Sequence, residues 1–124
     1  MHKKIISIDF DGVIHSYMSG WQGADVIPDP PVPGAIVWLS RLCRDGRFDV
    51  QIFSSRSHQS GGVQAMAKWL LDNGLAPMWL EEIRFPAAKP SAHLTIDDRA
   101  FCFQGQFPTL DEIDLAGDKP WWKK

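Results

Sequence analysis

Apolar residues along this chain fall into short continuous runs and longer stretches of helical period, divided by glycine, proline and serine. Lys4 to Asp9 is a run of strand length that stops where acidic residues begin, and Phe48 to Phe53 is a second, stopping at Ser54-Ser55-Arg56. Between them, residues 14–33 carry Pro28, Pro30, Pro31 and Pro33 and read as a flap loop. After Pro33 the period becomes helical, with Ile36, Val37, Leu39, Leu42 and Cys43 on one side and Gly46 placed to end the helix. A second helix is expected from about Ser60, with Val63, Met66, Ala67, Leu70 and Leu71 inward and Asn73-Gly74 as its stop. Trp38 and Trp69 fall on these helices, where core packing is the plain reading. Ile83 to Phe85 and Leu94 to Asp97 are brief strands, and Phe101-Cys102-Phe103 is a candidate last one. Thr109-Leu110-Asp111-Glu112 has capping-box spacing for a short helix, and residues 115–124, with Trp121-Trp122, form a C-terminal tail.

Strands alternating with helices at this rhythm indicate βαβ units, hence an α/β fold with a mainly parallel sheet covered on both faces. In open α/β sheets the ligand site lies beyond the carboxyl ends of the strands. Asp9, Asp11, Ser54, Asp97 and Asp98 all fall at such ends, from three different strands, so residues scattered in sequence should converge in space. Four carboxylates held together repel one another, and Mg²⁺, which takes hard oxygen ligands, is the usual way to offset that cost.

Composition narrows the partners. At 124 residues the chain fits one domain, with no expectation of an accessory one. A net charge of −2 argues against the basic surface that duplex nucleic-acid binding needs. Asp9 and Asp11 interrupt the first apolar run well short of a signal-peptide core, and no run has the length of a membrane span. Cys43 and Cys102 lack metal or redox spacing and read as small buried hydrophobes. A cytoplasmic protein is the default these absences leave.

Each candidate residue also has a plainer reading when taken singly. Asp-x-Asp at a strand end can be a turn or an N-cap, Lys89 before a proline a solvated charge, and Asp97-Asp98-Arg99 a structural ion-pair cluster. A lone loop histidine is ordinarily solvent-facing, so His15 and His58 stay outside the chemistry.

Taken in order, Asp9, Asp11, Ser54, Lys89 and the Asp97-Asp98 pair resemble the four signature motifs of the haloacid dehalogenase-like (HAD) superfamily. Asp-Phe-Asp-Gly-Val matches its Asp-x-Asp-Gly motif, with Val13 where threonine is common. The resemblance implies a single-domain, three-layer Rossmann-like fold over residues 1–124 and a Mg²⁺-dependent phosphomonoester phosphatase. In that scheme Asp9 is the nucleophile that becomes an aspartyl phosphate, and Asp11 is general acid and then general base. Ser54 and Lys89 bind the phosphoryl group. The ion is held by the Asp9 carboxylate, the Asp11 main-chain carbonyl and an acidic residue of the last motif. Adjacent strand residues point to opposite sides. Asp98 is accordingly assigned to the metal and Asp97 to orienting Lys89, with the reverse division as the alternative.

Neither interval that holds a cap domain in larger relatives has room for one, so the chain resembles the capless phosphatases, whose open site admits macromolecular phosphates as well as small ones. Arg56 and Trp21 are further candidate substrate contacts, Arg56 for a second anionic group and Trp21 for a base or sugar ring, although covering the core edge is the slightly preferred reading of Trp21, and Tyr17 joins Trp21 as a candidate lid. The alternatives are a noncatalytic or regulatory phosphate-binding module and a phosphotransferase whose acceptor is not water.

Overall fold

The computed structural model describes residues 2–116. Trp121-Trp122 and the rest of the expected tail beyond Ala116 lie outside the described residues. Three strands, β1 (Lys4–Ile8), β2 (Phe48–Ile52) and β3 (Leu94–Ile96), form one parallel sheet in the order β2-β1-β3. Ile6 pairs with Val50 on one side and Leu94 on the other, and Ile8 with Ile52 and Ile96. Flanked on both edges, β1 buries Ile6, Ser7 and Ile8, as expected of a central parallel strand.

Helix α1 (Ala35–Asp45) ends on Gly46 at φ 88°, a left-handed cap that glycine adopts without strain. Its inward stripe is Ala35, Leu39 and Cys43. This i, i+4 spacing corrects the expected face, because Val37 lies across the helix and is 58% exposed, while Trp38 is 39% exposed and not a core residue. Helix α2 (Gly62–Asp72) buries Met66, Trp69 and Leu70, leaves Leu71 exposed, and stops at Asn73 as expected, with the Asn73 side chain donating to the Trp69 carbonyl. A short α3 (Pro77–Leu80), started by a proline whose φ is preset for a first turn, was not foreseen. In α4 (Leu110–Ala116) the Glu112 N–H donates to Thr109 Oγ1, half of the expected capping box.

Two expected strands are corrected. Ile83 to Phe85 contributes only one parallel bridge, Arg84 to Gln51, before Pro86 intervenes. Phe101 to Phe103 pairs with nothing described, and Phe101, Cys102 and Phe103 are exposed, so Cys102 is not a buried hydrophobe as Cys43 is. The architecture is therefore α/β with a small, open, three-stranded parallel sheet and four described helices. No described helix is long and apolar enough to cross a membrane.

Residues 14–33 form the expected irregular segment, but it is pinned to the core. His15 bridges Pro31, Val32 donates to the Ile14 carbonyl and Ser16 to the Pro30 carbonyl. Ile14 itself is fully buried with Phe10, Leu39, Ile52, Met66 and Leu70.

Candidate functional site

Strand geometry sets the site. β1 ends at Ile8, and alternation turns Phe10 into the core while Asp9 and Asp11 line a cavity at the carboxyl end of the sheet. β3 ends at Ile96, so Asp97 and Asp98 follow at the same edge. The Asp9 N–H still donates to the Ile96 carbonyl, at 2.9 Å, which holds the two strand ends side by side. As a result Asp9, Asp97 and Asp98 each offer a carboxylate oxygen within 4.8 Å of the others.

Burial pushes the Asp9 carboxyl up to about 7, and crowding by Asp97, Asp98 and Asp11 adds to it, against the opposing hydrogen bond from the Phe10 N–H. Burial likewise raises Asp98, with Asp97 contributing. Three crowded carboxylates, two of them resisting ionisation, are a donor set that suits a small hard cation, so the residues present fit Mg²⁺. Asp98 faces the cavity shared with Asp9 and Asp11, and Asp97 faces an adjoining one that contains Lys89. Gly12, at φ 88°, leaves room for the Asp98 carboxylate, which a Cβ at that position would meet.

Asp11 is surrounded differently. Arg56 Nε donates to Asp11 Oδ2 at 3.0 Å, Arg56 Nη2 to Oδ1 at 3.1 Å, and His15 Nδ1 meets Oδ1 at 2.9 Å. Arg56 Nη1 also donates to the carbonyls of Gly23, Ala24 and Val26. Expected as a contact for a second anionic group, Arg56 is instead 0% exposed and joined to the protein's own acceptors. A guanidinium cannot shed its proton, so burying it requires this pairing. The Trp21 ring lies over the guanidinium, 4.8 Å away, and so gives that face to Arg56 rather than to a base or sugar.

His15, expected to face solvent, is also 0% exposed. Its Nε2 accepts the Asp29 N–H at 3.1 Å, which places the ring proton on Nδ1, where it donates to Asp11. The Asp29 carboxylate accepts from the Ser19 N–H and hydroxyl at 2.7 and 2.6 Å, and although burial alone would raise it, these bonds hold it below the usual range.

Ser54 is buried at the end of β2 and lines the cavity with Asp9 and Asp98. Its Oγ accepts the Arg56 N–H at 3.2 Å, which leaves the hydroxyl proton to donate to a ligand. Lys89 lines the adjoining cavity with Asp9, Ser54 and Asp97 but makes no ion pair with a described carboxylate. Tyr17, Ser55 and Arg99 complete the cavity wall. Sequence reasoning did not single out Ser55 or Arg99 for this; their adjacency to Ser54 and Asp98 was the available signal. It also missed Asp29, whose partners lie 10, 14 and 40 positions away.

Compared with family models and with curated proteins, the chain matches none.

Proposed function

We propose that this chain is a Mg²⁺-dependent phosphomonoester phosphatase of the capless haloacid dehalogenase-like type, on a three-layer Rossmann-like variant of the α/β fold. The observation that carries the reading is the meeting of Asp9, Asp97 and Asp98 within 4.8 Å, with the Ser54 hydroxyl on the same cavity wall. The Asp9 and Asp98 carboxylates and the Asp11 main-chain carbonyl would hold the ion. When bound, Mg²⁺ supplies the positive charge that lets an ionised Asp9 and an anionic phosphate approach each other.

Asp9 attacks phosphorus and forms an aspartyl phosphate, while the substrate's ester oxygen leaves with a proton from Asp11. Asp11 then takes a proton from water as that water attacks phosphorus, and Asp9 is released with inorganic phosphate. Ser54 donates to a nonbridging phosphoryl oxygen, and Lys89 offsets charge on the transferring group. Asp97 lines the adjoining cavity with Lys89, with which it makes no ion pair and which it would orient once the phosphoryl group is bound. The substrate is a phosphomonoester, and a site with no cap among the described residues suits the phosphorylated end of a macromolecule as well as a small molecule.

One observation favours a noncatalytic phosphate-binding module instead: both Asp11 oxygens already accept hydrogen bonds. The test is phosphate release from a panel of phosphomonoesters, including 3'- and 5'-phosphorylated oligonucleotides, with Mg²⁺ or EDTA and with Asp9→Asn alongside. Turnover that needs Mg²⁺ and Asp9 supports the phosphatase. Tight binding of a phosphorylated ligand without turnover supports the module, and phosphorylation of an added alcohol in place of phosphate release identifies a phosphotransferase.

A further inference from the structure

We infer that His15 is a positioning residue for Asp11, turning its carboxylate so that Oδ2 is the oxygen presented to the leaving group; this rests on the phosphatase reading above. Each carboxylate oxygen has two lone pairs. Asp11 Oδ1 receives the His15 Nδ1–H, Arg56 Nη2 and, at 3.2 Å, a share of Arg56 Nε, whereas Oδ2 receives only that shared Nε–H, at 3.0 Å. Oδ2 thus keeps acceptor capacity on a side chain that lines the reaction cavity.

The imidazole is itself held. Its ring stacks on Phe10 at 5.7 Å and meets Trp69 and Tyr17 edge-on, so it has little room to rotate. The Asp29 N–H at Nε2 fixes the tautomer, and Asp29 is fixed in turn by Ser19 and by the Trp69 indole N–H at its carbonyl. A histidine buried for packing alone needs a partner for its N–H, but any carbonyl would serve. Here the partner is the carboxylate that the reaction uses as acid and base.

The experiment compares His15→Asn, whose amide N–H can occupy the Nδ1 position, with His15→Gln, whose amide reaches only the Nε2 position. The substrates are 4-nitrophenyl phosphate, whose leaving group departs without a proton, and the aliphatic phosphate ester of the panel that wild-type protein turns over fastest. Because kcat/KM covers only the steps through departure of the first product, the later water attack does not obscure it. On the aliphatic ester, His15→Gln should lose about 100-fold in kcat/KM and His15→Asn less than about tenfold, with both near wild type on 4-nitrophenyl phosphate.

Equal losses for the two variants, or an equal loss of His15→Gln on both esters, overturn the inference while the phosphatase reading stands. So does a wild type that turns over 4-nitrophenyl phosphate alone. Nitrogen NMR of His15 in the wild type provides a check that needs no variant, since a proton on Nε2 rather than Nδ1 also overturns it. A wild type inactive on every ester removes the phosphatase reading and His15's role together.

Discussion

Asp9 and Asp11 stand two residues apart at the end of one strand, in opposite electrostatic surroundings. Asp11 is met by a buried guanidinium and an imidazole N–H, so the fold itself supplies its partners. Asp9 is met by Asp97 and Asp98, so the fold supplies repulsion. A carboxylate with internal partners is held in place by the protein, whereas carboxylates that crowd one another and, among the described residues, have no ion-paired cation gain stability from a ligand that offsets their repulsion. The same strand end thus carries one positioned group and one crowded by like charge, which could hold a metal ion.

The sharpest way to break this contrast is Asp9→Asn. Phosphate release should fall by about 10⁴-fold or more, as for loss of other enzymic nucleophiles. The metal-free protein should nevertheless melt higher than wild type, because a buried carboxylate crowded by Asp97 is gone. An inactive variant that melts lower would show that Asp9 is structurally paired after all.

Arg56→Met tests the other half. It leaves Asp11 Oδ2 and three carbonyls without their donor and should cost about 3–5 kcal/mol in urea unfolding. Asp11→Asn in the same background should recover part of that loss. A cost within error of zero would mean that Arg56 does not hold Asp11.

A smaller effect follows from pH. Burial, then Asp97, raises Asp9 from 3.8 to about 7. An acid whose folded pKa lies above its unfolded value opposes folding once it must ionise, so stability is intact below the lower value and falls as pH rises through this window. Every tenfold weakening of the acid on folding corresponds to about 1.4 kcal/mol. Mg²⁺ should therefore raise Tm more at a pH of about 8 than at about 5, and equal increases at both would argue that the ion binds elsewhere.

The smallest effect expected is for Trp21→Ala, which removes a cation–π contact worth about 0.5–2 kcal/mol and should leave KM unchanged. A large rise in KM would return Trp21 to the substrate.

Much of this arrangement was legible before the structure. β1, β2, α1 and α2 follow from runs and periods bounded by Gly46, Asn73 and the proline-rich loop, all local signals. Asp9, Ser54, Asp97 and Asp98 were legible because strand ends of a parallel sheet gather at one edge. Arg56 was not, since its partners are 30 to 45 positions away and a single arginine after a strand looks the same whether it faces solvent or core. His15 lies four residues from Asp11, a spacing that has meaning in a helix, but here the contact forms in an irregular turn that no period marks. The expected strands at 83–85 and 101–103 were apolar runs of the right kind; Pro86 cuts the first short after one bridge to β2, and the second has no described strand beside it.

Irregular surface segments are ordinarily where chains grow, shrink and diversify. The segment from 14 to 33 is held by the Asp29 N–H on His15 and by the Gly23, Ala24 and Val26 carbonyls on Arg56, all of them main-chain groups. Main-chain groups are present whatever side chain a position carries. Outside Ser19, Trp21 and Asp29, whose side chains are themselves engaged, and Gly20 and Gly23, whose φ is positive, the spelling of this stretch is free to drift over generations, while its length is not: one added residue would draw Asp29 off the imidazole or the carbonyls off the guanidinium.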